Sequence, residues 1–413
     1  MIGDSLRVAF FPDAYHEVDG VANTSRHFEA FALRRNLPFL TVIGGTGSGT
    51  VTIGNVQRVE LPRGRFSFAL DCKHEFDLAF LRHYDEVEAR VREFNPDIVH
   101  ITGPSDVGIL GCFIAHRLRI PLAASWHTNL HQYAEQRFRR LISWLPRGIA
   151  RRMAAAIGQA SLACTLRYYH IPQILFAPNQ ELIELLEKGT GKPSFLMARG
   201  VDTELFDPRR RTRAGGPFVV GYVGRLTAEK NIRLLAEIES DLLAMTCNNF
   251  RFLIVGQGAE EPWLRAHLRN AQFTGVLRGQ ALAEAYANMD VFVFPSETDT
   301  YGNVVLEAQA SGVPAIVSPI GGPRFLVRSK ESGFVAYRSR DYATYIARMQ
   351  QHSSELSRMR AAARAEACAA SWDAVFSSVY SSYDLGMIAA GAAGKKIRPR
   401  QVRGMMPGSA PVV

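Results

Sequence analysis

Apolar residues follow two alternating rhythms along the chain. Short unbroken runs, such as LRVAFF at 6–11, PDIVHIT at 96–102, PLAAS at 121–125 and DVFVFP at 290–295, are too brief for helices and read as strands buried on both faces. Between them lie stretches with helical spacing: VANTSRHFEAFALRR after Gly20, residues 78–94, and the segment around Ile109 to Leu118. Strand, loop and helix in repetition predict βαβ units and parallel sheets, which bind ligands on the loops leaving the carboxyl ends of their strands. The clearest instance is 290–318. A strand ending at Pro295 gives way to a polar loop, 296–302, then to a helix from Asn303 that stops at Gly312 and Pro314, and then to a second strand, PAIVS. Asp299 lies in that loop and Glu307 about one turn into the helix. Because Cβ tilts towards a helix N-terminus, both carboxylates can face one ligand.

At 413 residues the chain is too long for one core and predicts two domains, each an α/β layer structure. Charged residues at 21% and hydrophobics at 47% describe a globular protein. No apolar run approaches the ~18 residues that span a bilayer. The start, MIGDSLRVAFF, carries no basic n-region, so no signal peptide is expected. Cysteines 72, 112, 164, 247 and 368 have no CxxC spacing and read as reduced, mostly buried thiols of a cytoplasmic protein. The net charge of +9 suits an acidic partner such as a nucleotide diphosphate or an anionic membrane. Zinc-finger spacing, an RNP-like string and a helix-turn-helix signature are missing, so nucleic acid is not an expected partner.

Gly20 stands at a helix start, where backbone can approach an anion closely. GTGSGT at 45–50 lacks a third glycine and leads into a strand, so it is a turn and not a dinucleotide fingerprint. His127 ends a strand, the position where such sheets place chemistry, and His131 follows at the spacing of a metal pair, but with no third ligand in sight. Residues 137–157 carry Phe138, Leu141, Ile142, Leu145, Ile149 and Met153 on one helical track and Arg137, Arg140, Arg147 and Arg151 on another, interrupted near Pro146. With Trp144 this segment fits either a membrane surface or a helix packed on the core. RRRTRAGGP, 209–217, is a polar, basic linker. Beyond it FVVGYVGRLTAEKN gives a strand, a glycine turn and a helix opening near Ala228, with Arg225 and Lys230 beside its N-terminus as cations for a phosphate. Glu297 and Asp299 also form an acid pair that suits Mg²⁺ or Mn²⁺. The tail holds Lys395, Lys396, Arg398, Arg400 and Arg403 without an acid and reads as disordered.

The string TDTYGNVVLEAQASGVPAIVS, with an acid, seven residues and an acid, resembles the retaining glycosyltransferases of family 4 (group 1) with the two-domain GT-B fold. That family includes bacterial lipid mannosyltransferases and sulfoquinovosyl-lipid synthases. FPDAYHEVDGVANT, ASWHTNLHQY, SFLMARGVDTELFDP, GRLTAEKN and GGPRFLV are similar to other segments of the same family, although relatives often carry an acid where Phe325 stands. The resemblance implies two Rossmann-like domains facing across a cleft: an acceptor domain, 1–207, a nucleotide-sugar domain, 208–370, a C-terminal helix, 371–390, crossing back to the first domain, and the basic tail, 391–413. It implies that Asp299 meets the donor sugar, Glu307 the ribose, and Arg225 and Lys230 the diphosphate, with Gly20, Gly224, Gly256, Tyr301, Gly302, Asn303 and Val304 completing the donor site and Gly258 in the loop near the base. His127 falls near the transferred sugar, so His127, Asp299, Arg225 and Lys230 are the candidate catalytic residues.

The expected reaction moves a sugar from a UDP- or GDP-linked donor to an acceptor hydroxyl, with a lipid or glycolipid acceptor, no metal and no other cofactor. Preorganised cations would stabilise the charge developing on the leaving diphosphate. The expected location is the cytoplasm, with contact to the inner face of the cell membrane through Arg137, Arg140, Trp144, Arg147 and Arg151. A nucleotide-sugar epimerase of the same fold, a metal-dependent transferase using Glu297 and Asp299, and a non-catalytic nucleotide-binding protein remain alternatives.

Overall fold

The computed structural model of the chain describes residues 6–17, 20–65, 67–69, 75–142 and 144–392. In the first half, β1 (Val8–Phe11), β2 (Phe39–Gly45), β3 (Gly49–Ile53) and β4 (Val56–Pro62) are followed by a small hairpin, β5 (Ser67–Ala69) and β6 (Glu75–Asp77), and then by β7 (Ile98–Ile101), β8 (Leu122–Ser125), β9 (Ile174–Ala177) and β10 (Ser194–Leu196). Apart from the hairpin these form one sheet in the order β10-β9-β8-β7-β1-β2-β4-β3, parallel except for the antiparallel edge strand β3. Helices α1 (Gly20–Arg34), α2 (Tyr84–Phe94), α3 (Asp106–Leu118), α4 (Leu130–Leu141), α5 (Arg147–Tyr169) and α6 (Gln180–Thr190) provide the connections. The second sheet contains β11 (Phe218–Val223), β12 (Phe250–Val255), β13 (Ala271–Gly275), β14 (Val291–Phe294), β15 (Ala315–Val317) and β16 (Gly333–Val335) in the order β13-β12-β11-β14-β15-β16, all parallel. Around it lie α7 (Leu234–Ala244), α8 (Glu261–His267), α9 (Gly279–Ala287), α10 (Asn303–Ala310), α11 (Ser339–Gln351) and α12 (Ser353–Ala369).

The apolar runs form central strands because both of their faces are covered. Along β1, Ala9 and Phe11 enter one core while Val8 and Phe10 enter the other, as the two-residue period of a strand requires. The second of these cores is completed by α13 (Trp372–Ala392), which leaves the second domain and returns to the first. Its Phe376 ring stacks on Phe28 of α1 at 4.5 Å between centroids, and Tyr380 and Tyr383 continue the same stripe. The two crossings run side by side: Met197 belongs to this same core of the first domain and Val201 to the core of the second domain, and Val201 N–H donates to the Ala370 carbonyl at 3.1 Å, just before α13 turns back.

The basic stretch after Asp207 is not a solvated linker. Arg211 and Arg213 form ion pairs with the buried Asp290 of the second domain, as does Arg360 from α12, so this strip is fixed to one side of the cleft. One further expectation changes. Cys164 and Cys368 are exposed and Cys112 is half-buried because they sit on outer helix faces, and Cys247 is half-buried in the loop after α7; Cys72 lies outside the described residues. On α4 and α5 the apolar track, open between core packing and a membrane surface, is split: Leu141, Ile149 and Met153 are exposed, while Ile142, Ala150 and Ala154 are buried. The five basic tail residues, Lys395 to Arg403, also lie outside the described residues.

Candidate active site

Strand β14 delivers the chain to the carboxyl edge of the second sheet, and Gly302, at φ +100, bends it into α10 in a conformation few other residues accept. As N-cap, Gly302 brings no side chain to the first turn of α10, so the leading N–H groups there can serve a ligand. Just before this turn, both carboxylate oxygens of Asp299 accept from the Lys230 ammonium, at 2.7 and 2.8 Å. Burial alone would raise the Asp299 carboxyl. The Lys230 charge and its hydrogen bonds, with a contribution from Arg225, hold it below the usual carboxylate range instead. Lys230 comes from a single 3-10 turn, Ala228–Lys230, and not from the opening of a long helix: Asn231 takes a left-handed conformation there, and α7 starts only at Leu234. Arg225 is half-exposed, 3.8 Å from Glu229.

One turn into α10, Glu307 accepts a 2.8 Å hydrogen bond from the buried Tyr286 hydroxyl. Burial pushes its carboxyl up to about 7, against the opposing effect of that hydrogen bond. The two candidate acids therefore differ sharply: Asp299 is neutralised by a cation, while among the described residues no cation pairs with Glu307 and burial holds its carboxyl up at about 7. Gly224 and Gly256 serve each other first. A Cβ on Gly256 would lie 1.9 Å from the Gly224 carbonyl oxygen, so the loops after β11 and β12 touch backbone to backbone.

The same loop binds the opposite domain. Thr300 Oγ1 donates to the His127 carbonyl at 2.9 Å, the Thr300 carbonyl accepts from Asn179 Nδ2 at 2.7 Å, and the Tyr301 hydroxyl donates to the Arg199 carbonyl at 3.2 Å. Gly20, the first residue of α1, faces Asn303, the first of α10: a Cβ at Gly20 would sit 3.2 Å from Asn303 Nδ2. Two helix starts thus meet across the cleft. Arg324 and Glu181 add an ion pair at 3.0 Å, and Phe325 lies under the Arg324 guanidinium, half-exposed. Tyr301, expected in the donor site, has its side chain buried in this joint; Val304 is half-buried on α10.

His127 does not present a free ring nitrogen. Its Nδ1 accepts from Arg199 Nη2 and its Nε2 lies 2.7 Å from Ser125 Oγ. Burial first, and the Arg199 charge second, keep this imidazole well below its ordinary pKa, hence neutral. The side chain expected in catalysis thus has both ring nitrogens occupied in this arrangement. The His127–His131 metal pair fails for the same reason, and among the described residues no group of three or more His, Cys, Asp or Glu side chains converges. The Glu297–Asp299 pair is likewise not assembled, since Glu297 is exposed while both Asp299 oxygens face an ammonium that would repel a cation. A cavity of about 320 Å³ lined by Arg213, Arg251, Gln272 and Glu284 opens at the opposite ends of β11, β12 and β13, away from all of these groups.

Sequence reasoning missed Arg199, Asn179 and Thr300. Asn179 left a legible signal, an asparagine directly before a helix, and its side chain does accept from Leu182 N–H as an N-cap. Arg199 left none. It is buried without a carboxylate partner among the described residues, and burial pulls its guanidinium down to about 10.

Residues 217–352 match the family profile described as "Glycosyl transferases group 1", and residues 44–161 match "Glycosyl transferase 4-like domain". A GDP-mannose-dependent alpha-mannosyltransferase from Mycolicibacterium smegmatis is 33% identical over 301 residues, covering 71% of this chain and 75% of that one. Its namesake from Corynebacterium glutamicum is 33% identical over 257 residues, covering 60% of this chain but only 57% of its own length. An alpha-monoglucosyldiacylglycerol synthase from Streptococcus pneumoniae is 22% identical, covering 82% and 77% of the two chains. Among solved structures, sucrose-phosphate synthase from Thermosynechococcus elongatus superimposes with a TM-score of 0.66, covering 94% of this chain and 99% of the other at 17% identity, a likeness of fold alone.

Proposed function

The chain belongs to the glycosyl transferases group 1 and is a glycosyltransferase of GT-B fold, and on that footing we propose that it moves a sugar, with retention and without a metal, from a nucleotide diphosphate donor to a lipid or glycolipid hydroxyl. The observation that carries this reading is the Lys230–Asp299 contact at the uncapped start of α10, with Glu307 one turn further on. A diphosphate entering here exchanges places with the Asp299 carboxylate on Lys230. Asp299 is thereby released towards the sugar hydroxyls, and Arg225 adds a second charge. As the glycosidic bond breaks, negative charge grows on the departing phosphate, where the ammonium, the guanidinium and the N–H groups of α10 and α1 already stand. Cations fixed in advance do the work that a divalent ion does in metal-dependent transferases. Glu307 accepts from the ribose hydroxyls.

Two relatives named for GDP-mannose make that donor the first to test, with UDP-sugars beside it. The diacylglycerol in a third relative's name supports a lipid acceptor. No helix among the described residues is long and apolar enough to cross a membrane. Leu141, Trp144, Ile149 and Met153 are exposed together with Arg137 and Arg151, which supports docking of the first domain on an anionic lipid surface. The test is incubation of the purified protein with labelled GDP-mannose or UDP-sugars and membrane lipid extract. Label entering the organic phase is the expected result. Donor epimerised without any acceptor, or label that stays aqueous with the donor intact, contradicts the reading.

A further inference from the structure

One buried polar chain is unused by the chemistry above. From the joint inwards it runs Arg199, His127, Ser125, His100 and Tyr383, and every member is buried. Ser125 Oγ lies 2.7 Å from His127 Nε2 and 2.9 Å from His100 Nε2; Arg199 Nη2 contacts His127 Nδ1, and His100 Nδ1 contacts the Tyr383 hydroxyl. Counting protons fixes its direction. A guanidinium has donors only, so His127 Nδ1 must accept, and a neutral imidazole then carries its proton on Nε2. That N–H donates to Ser125, whose single hydroxyl proton goes to His100 Nε2. His100 is therefore protonated on Nδ1 and donates to Tyr383. Phe10, Phe28 and Phe176 pack around His100, so no solvent competes for these bonds.

The outer end of the chain meets the donor loop. His127 and Arg199 are clasped to each other by their side chains, and their two backbone carbonyls grip Thr300 and Tyr301, the residues next to Asp299. The inner end, Tyr383, belongs to the helix that crosses back from the second domain.

We propose that Tyr383, His100 and Ser125 are positioning residues for the transfer: one directed hydrogen-bond chain holds the His127–Arg199 pair in the tautomer and orientation that seat residues 300 and 301, and hence Asp299, across the cleft. This rests on the reading of Asp299 as the group that meets the donor sugar. Nucleotide binding is left aside, because Lys230, Arg225 and Glu307 belong to the second domain and Gly20, at the start of α1, is not a member of this hydrogen-bond chain. Breaking the chain lowers kcat and leaves nucleoside diphosphate affinity as it was.

The first test needs no activity. Nitrogen NMR of protein labelled in its histidines should show His100 protonated on Nδ1 and His127 on Nε2, both neutral at pH 7.5. His127 found protonated on Nδ1, or charged, overturns the proposal. Kinetics give the second readout. Ser125→Ala and His100→Leu should lose roughly 10- to 100-fold in kcat, the scale of a small misplacement of reacting groups, with unchanged calorimetric affinity for GDP or UDP. His100→Gln, whose side-chain oxygen can accept from Ser125, should recover most of the rate. Tyr383→Phe keeps the aromatic packing and gives the same comparison if Ser125→Ala does not fold. Wild-type kcat in all of these variants overturns the positioning role, whereas a wild-type protein that binds no sugar nucleotide defeats the underlying functional reading instead.

Discussion

Replacing Lys230 by methionine separates two duties that one ammonium performs. Its Nζ stands 2.7 and 2.8 Å from the oxygens of Asp299, and the lysine is buried while the carboxylate is 23% exposed. Removing one partner of a fully buried pair costs ~3–5 kcal/mol by stranding the other charge. Solvent reaching Asp299 takes up part of this, so about 2–3 kcal/mol is expected, or roughly 5–10 °C in the unfolding temperature of a domain this size. Nucleoside diphosphate affinity should fall as well, by roughly 10- to 100-fold, the value of one charged hydrogen bond. A second substitution, Asp299→Asn, then distinguishes the duties. In the double variant no stranded charge remains and stability should return to within about 1 kcal/mol of wild type, yet affinity should not recover. Thermal unfolding of the four proteins in the cycle, with calorimetry of GDP and UDP on each, reads both quantities. An unchanged melting temperature in Lys230→Met, or affinity restored by Asp299→Asn, refutes the shared role.

Three further outcomes follow from other parts of the molecule. Glu307, with a carboxyl at about 7, ionises as pH rises, so nucleotide-sugar affinity should increase about tenfold between pH 6 and 8, and the dependence should vanish in Glu307→Gln; a flat wild-type profile by calorimetry contradicts this. His100, held neutral with a pKa of about 3, keeps its full contribution above pH 6.5 and loses it as pH falls towards 3. The loss amounts to ~2 kcal/mol at pH 5, so the acid sensitivity of wild type in denaturant titrations should exceed that of His100→Gln by that margin. On the outer face of the first domain, Trp144→Ala should reduce sedimentation with anionic vesicles about tenfold or more, since the 79%-exposed indole would no longer bury its apolar surface; equal sedimentation would remove this patch from membrane docking.

The strand runs, the order of βαβ units and the helix stop at Gly312 were legible because each depends on neighbours within a few residues. Asp299 and Glu307 were legible as well, through their spacing around one loop and helix start. What the sequence concealed were partnerships over long separations. Nothing near residue 230 says that its ammonium will neutralise residue 299, and nothing near His127 says that Arg199 and Ser125 will occupy both ring nitrogens. Helical periodicity in 137–157 marked helix but not its facing: the break at Pro146 makes two helices, and the apolar track divides between buried Ile142 and exposed Leu141, Ile149 and Met153. Glycines 224 and 256 were assigned to the donor site by resemblance alone, and nothing in their spacing says that they also let two loops touch.

The position of the bound nucleotide decides between these arrangements, and a crystal structure with GDP or UDP measures it directly. The pyrophosphate should lie within hydrogen-bond reach of Lys230 Nζ and the first N–H groups of α10, with the ribose on Glu307 and Asp299 released from the lysine. A nucleotide found instead in the cavity between Arg213 and Arg251, with the Lys230–Asp299 pair undisturbed, would contradict it.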